Sequence, residues 1–138
     1  MTDKIVKYIT YGLSAASGAI ASLFGGFDIY LKGLLILMVL DFITALPKLY
    51  NDYSSSVMSN GLIKKFMTLV CIIVANVVDI VFGLGFVRYS AVVCFAVNEA
   101  LSNLENMGQY IELPTFLVNL LRDLHDKADE GGLKDGNN

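Results

Sequence analysis

The sequence predicts an all-α integral membrane protein with about four transmembrane helices, followed by an amphipathic helix and a short flexible tail. Three observations carry this. The 138-residue chain is 55% hydrophobic and 17% charged, with mean hydropathy +0.60, against about 45–50% apolar and about 25% charged for soluble domains. Its apolar residues gather into membrane-length runs. The run from Ile29 to Tyr50 holds a single acid, Asp41, deep inside it. A carboxylate there costs roughly 2.5–3.5 kcal/mol on insertion scales and is turned toward protein or water.

The first segment, approximately Ile5 to Phe24, is rich in small residues, with Ser14, Gly18 and Ser22 on one helical face. In lipid such a face lets backbones approach closely, so it is expected to pack on other helices, including copies of the chain. Lys4 and Lys7 ahead of it imitate a secretion signal, but the apolar run continues to Phe24 and further membrane segments follow, which argues against cleavage. Gly25 and Gly26 end the helix. The second segment runs from Ile29 to about Leu49, with Pro47 favouring termination or a kink.

Residues 50–65, with their serines and Asn60-Gly61, read as a polar loop. The third segment, Phe66 to about Phe86, places Asn76, Asp79 and Gly83 on one stripe. Gly83, Gly85 and Arg88 mark a short connection. In the fourth segment, Tyr89 to about Leu104, Asn98, Glu99, Ser102 and Asn103 follow an apolar start. It crosses only if its polar side faces protein or water. After Gly108, the stretch ELPTFLVNLLRDLHD keeps Leu113, Phe116, Leu117, Leu120, Leu121 and Leu124 on the helical period, with Pro114 suited to the first turn. Residues 1–108 thus form a transmembrane domain, 109–125 an amphipathic cytoplasmic helix and 126–138 a charged, flexible tail.

Basic residues set the orientation. With four crossings and both termini cytoplasmic, Lys4, Lys7, Lys48, Lys64, Lys65, Arg122, Lys127 and Lys134 lie inside, and only Lys32 and Arg88 outside. Three crossings, with the first segment on the surface, keep the long loop inside as well.

The intramembrane polar set is Asp41, Thr44, Asn76, Asp79, Asn98, Glu99 and Ser102. These residues can line a water path, relay protons or bond helices together. Lys32 and Arg88, near the span ends, are too few to satisfy three acids, which favours exposure to a water-filled surface at some stage. Enzymatic readings lack parts. His125, the only histidine, lies in the amphipathic helix, and Gly83–Phe86 lacks the context of a nucleotide loop. Asp41 and Asp79 are followed by Phe42 and Ile80, not by the glycine of intramembrane aspartyl proteases. Cys71 and Cys94 sit in apolar runs as reduced thiols without metal-ligand spacing, so no cofactor or metal is expected. The net charge of -3 says little, since the acids cluster at the C-terminus, but without a strong basic patch nucleic acid is not expected as a partner.

Four motifs follow in order. LDFITALPKLY gives Asp41, an aromatic and Thr44; SSSVMSNGLIKK gives Ser56, Gly61 and the pair Lys64-Lys65. ANVVDIVFG gives Asp79, and NEALSNLENMGQYIELP gives Glu99, Ser102, Glu105, Asn106, Gly108 and Pro114. From about Gly25 to Leu124 this ordered set resembles the toxin-secretion and phage-lysis holin family, with Ala45 departing where that family commonly has glycine. The resemblance implies a homo-oligomer in the host bacterial cytoplasmic membrane that opens a lesion at a set time. An endolysin or a large exported toxin is then its cargo. A small ion or proton channel and a regulatory membrane scaffold are the competing classes.

Overall fold

The computed structural model describes residues 2–51 and 55–133. Among these the chain is all-helical: α1 (Thr2–Leu23), α2 (Ile29–Asn51), α3 (Ser55–Phe82), α4 (Val87–Met107) and α5 (Thr115–Leu133). α2 and α4 start at the same end, where the Tyr30 and Tyr89 rings meet edge to face at 4.7 Å. They run side by side as far as the Thr44–Asn103 contact. α3 returns in the opposite direction against α4. Leu31, Leu34 and Met38 of α2, Ile72 of α3 and Val92 of α4 make the buried core.

Two helical stretches, Ile29–Lys48 and Met58–Phe82, are long and apolar enough to cross a bilayer, and only 17% of each is buried within the chain. Ile36, Val39, Phe42 and Ile43 on α2 and Val74, Val77, Ile80 and Val81 on α3 all point outward. A soluble core helix would hide these residues; here they form an apolar exterior suited to lipid. α1 is exposed along nearly its whole length and meets α3 at its C-terminal end. Its hydroxyls turn back onto helix carbonyls, Ser17 to Ser14 O at 2.9 Å and Ser22 to Ala19 O at 2.7 Å. That satisfies them without water.

Several boundaries differ from the sequence expectation. Pro47 does not end α2, because the helix continues past it to Asn51. The missing N–H costs a single bond one turn from the end. Asn60-Gly61 is helical, since α3 begins at Ser55 and residues expected in a polar loop extend it. One interior glycine costs about 1 kcal/mol relative to alanine, which the long apolar helix behind it outweighs. α3 stops at Phe82, ahead of Gly83 (φ +66) and Gly85 (φ +77), whose backbone angles suit glycine. α5 runs through Leu133, past Asp126 where a flexible tail was expected; Lys127, Ala128 and Glu130 are good helix formers. The remainder of that tail, 134–138, lies outside the described residues.

Candidate functional site

Two polar layers separate along the bundle, with the apolar core between them. From Asp28 to Asp41 the helical rise amounts to about 20 Å.

The first layer joins three helix ends. Asp28 caps α2, its Oδ1 accepting from Leu31 N at 2.9 Å. Its Oδ2 pairs with Arg88 Nη1 at 2.7 Å. Arg88 also donates through Nε to Phe24 O and through Nη2 to Gly26 O at 3.2 Å. Asn76 donates to Leu23 O at 3.0 Å. These donors satisfy carbonyls at and just beyond the C-terminus of α1, where the helix dipole is negative. Asp79 caps α4 from α3: its two oxygens accept from Val87 N at 3.0 Å and Arg88 N at 2.8 Å. The hydrogen bond from Arg88 holds the Asp28 carboxyl below its ordinary range, against the opposing pull of burial.

The second layer ties α2, α3 and α4 together. Lys65 Nζ lies 2.8 Å from Asp41 Oδ2 and 2.5 Å from Glu99 Oε2, with all three side chains mostly hidden at 19%, 16% and 15% exposure. Asn106 donates to Asp41 Oδ1 at 3.2 Å and to Thr44 Oγ1 at 3.3 Å. Thr44 in turn reaches Asn103 Oδ1 at 3.3 Å. Asn103 donates to Leu37 O at 3.0 Å and Glu99 O at 2.7 Å. An ammonium between two carboxylates offsets the cost either acid would carry alone in lipid. Beside this cluster a cavity of about 410 Å³ opens between α2 and α3. Its walls include Asp41, Phe42, Lys48, Gly61 and Leu62, and Ser102 and Asn106 of α4 close its floor.

The expected polar set therefore divides. Asp41, Thr44 and Glu99 meet in the second layer, with Ser102 on the adjoining cavity wall. Asn76 and Asp79 belong to the first layer, and Asn98 is exposed away from both. Lys32 pairs with none of the three acids; it lies over the Phe27 ring at 5.4 Å. Lys65, expected in a loop, is the counter-ion of two of them. Asp28, Arg88, Asn103 and Asn106 complete the networks. On α1, Ser14 and Gly18 border a second cavity of about 640 Å³ with Phe24, Leu31 and Leu69. Ser22 is exposed, and a Cβ on Gly18 would meet open space.

Of the remaining motif residues, Lys64 and Glu105 are exposed. Gly108 follows α4, its N–H bonding Leu104 O at 2.7 Å. Pro114 O accepts the first bonds of α5 from Leu117 N and Val118 N. Ser56 lies in the first turn of α3, its side chain outside the described residues. No group of three or more metal-ligating side chains occurs among the described residues.

Comparison with known proteins identifies the family. The bacteriophage holin family matches residues 18–126, a stretch that includes both polar layers. The chain is 30% identical over 110 residues to a "Probable holin" of Bacillus phage phi105, covering 77% of this chain and 82% of the relative. It is 28% identical over 130 residues to an "Uncharacterized 14.9 kDa protein in nagH 3'region" of Clostridium perfringens, covering 91% and 98%. It is 30% identical over 112 residues to "Uncharacterized protein YqxH" of Bacillus subtilis, covering 78% and 79%. No solved structure matches the chain. With most of its length matched and its polar residues joined into helix contacts, the chain belongs to the bacteriophage holin family, whose members form membrane pores and are not enzymes.

Proposed function

We propose that the chain oligomerises in the bacterial cytoplasmic membrane and opens a timed lesion through which an endolysin, or a large exported toxin, leaves the cytoplasm. The observation that carries this reading is the holin match over residues 18–126. The fold adds a physical route. Each protomer keeps a polar wall turned inward under an apolar exterior, so it can insert as a closed unit. The same wall can be given to water once protomers gather.

Four crossings with both termini cytoplasmic fit the helix directions and the basic residues. α2 and α4 then run from outside to inside and α1 and α3 from inside to outside. This places the Asp28–Arg88 layer near the outer face and Lys48 and Lys64 near the inner one. α4 is the most polar of these spans; it turns Asn103 inward and pairs Glu99 with α3, as a helix in lipid requires.

Expression of the chain alone in a bacterium tests the proposal. The membrane potential should hold through a delay and then collapse abruptly, and a co-expressed endolysin should lyse the cell at that moment. Collapse of the potential while the endolysin stays inside would instead mark a small channel. An intact potential despite confirmed insertion would mark a scaffold.

A further inference from the structure

We infer that Lys65 is a clasp that holds the closed protomer shut, and that its release swings the cytoplasmic half of α3 away to expose the polar wall. This deepens the holin reading and rests on it. The contacts of the three helices are unequal. α2 and α4 are bound to each other without α3: their core side chains interlock, and Asn103 and Asn106 of α4 bond Leu37 O, Asp41 and Thr44 of α2. α3 is fixed at its other end, where Ile72 enters the core, Asn76 bonds Leu23 O and Asp79 caps α4.

The first part of α3 is different. Met58, Gly61 and Leu62 face α2 across the 410 Å³ cavity, and Lys65 spans that gap to reach Asp41 and Glu99. Freed from Lys65, this part can pivot about the Asp79 end. The wall it uncovers is Asp41, Glu99, Ser102 and Asn106, a continuous polar strip on α2 and α4. In the closed protomer that strip faces the cavity or is bonded within the bundle; a hole through the membrane needs it outside.

The test reads the closed state directly, without lysis. Cys71 and Cys94 are replaced by alanine and Ser102 by cysteine, and labelling by a membrane-impermeant maleimide is followed in inverted membrane vesicles, whose outer face is the cytoplasmic one. Lys65→Met should label Ser102→Cys faster by about tenfold, within the range of ordinary conformational couplings, and should shorten the delay to permeabilisation in cells. Lys65→Arg, which keeps the cation, should stay near the parent rate. If Lys65→Met does not accumulate, Lys65→Gln serves instead; it keeps a hydrogen-bonding side chain without the charge and should also label faster than the parent.

Parent-rate labelling in an inserted Lys65→Met or Lys65→Gln protein would overturn the clasp. Faster labelling in Lys65→Met, in a protein that never permeabilises cells with or without the clasp, would support the clasp and overturn the holin reading.

Discussion

Replacing Gly25 by alanine strikes the joint at which α1 is held to the bundle. Gly25 has φ +74, where an L-residue pays about 1–2 kcal/mol of backbone strain. The added methyl would also overlap Asn76 Oδ1 and lie 2.8 Å from Arg88 Cδ. Neither neighbour is free to yield. Asn76 is 6% exposed and bonded to Leu23 O, and displacing it forfeits about 0.5–1.5 kcal/mol. Arg88 holds Phe24 O, Gly26 O and Asp28 at once, and loosening those charge-assisted bonds costs about 1.5–3 kcal/mol. Gly25→Ala should therefore lose about 3–5 kcal/mol, with partial relaxation of the side chains included. Gly26→Ala is the control. Its φ is +107 but its Cβ would meet open space, so strain of about 1–3 kcal/mol acts alone. Detergent unfolding in mixed micelles, followed by helical circular dichroism, measures both. Losses equal to within about 0.5 kcal/mol, the usual limit for such comparisons, would refute the claim that Asn76 and Arg88 cannot move aside.

Two further outcomes follow from the same layer. Asp79→Leu removes both acceptors from the start of α4 and should lower stability in the micelle assay, with faster hydrogen exchange at the amides of Val87 and Arg88. Asp79→Asn keeps one acceptor and should cost clearly less. Arg88 holds Asp28 below its ordinary value of 3.8. A carboxylate lowered by folding stabilises above its unfolded pKa, and that contribution is lost as pH falls through the folded value. The joint should therefore be at full strength at neutral pH and loosen below about pH 4, as read from exchange at the Leu31 amide. Asp28→Asn should remove that dependence, and an unchanged pH profile in the variant would count against the pairing.

The two strongest spans were legible because apolar length alone defines them: Ile29–Lys48 and Met58–Phe82 lie inside the expected segments or extend them by a few turns. The break at Gly25-Gly26 was legible because both angles are positive, which glycine supplies at little cost. The counter-ion of Asp41 was not. Pairing a carboxylate with Lys65 requires knowing that α3 starts near Ser55, and the serines and Asn60-Gly61 signalled a turn there. Local turn chemistry lost to a helix whose Lys65 end gains ion pairs far away in sequence. The phase of the polar stripe held the missing clue. Lys65 lies on the same helical face as Asn76 and Asp79, so carrying that stripe back through the presumed loop would have reached it. Asn103 and Asn106 continue the face of Glu99 in the same way. Asp28 went unread although an aspartate directly ahead of an apolar helical run is a usual N-cap, whereas its pairing with Arg88 is set by the bundle and leaves no local trace.

The size of the passage tests the central claim most directly. The purified chain would be reconstituted into liposomes loaded with both a small fluorophore and a folded endolysin, and release of each followed in time. The account predicts a lag that shortens as protein density rises, then simultaneous release of both. Release of the fluorophore with the endolysin fully retained would contradict it, and would leave these buried acids in the service of a narrow channel.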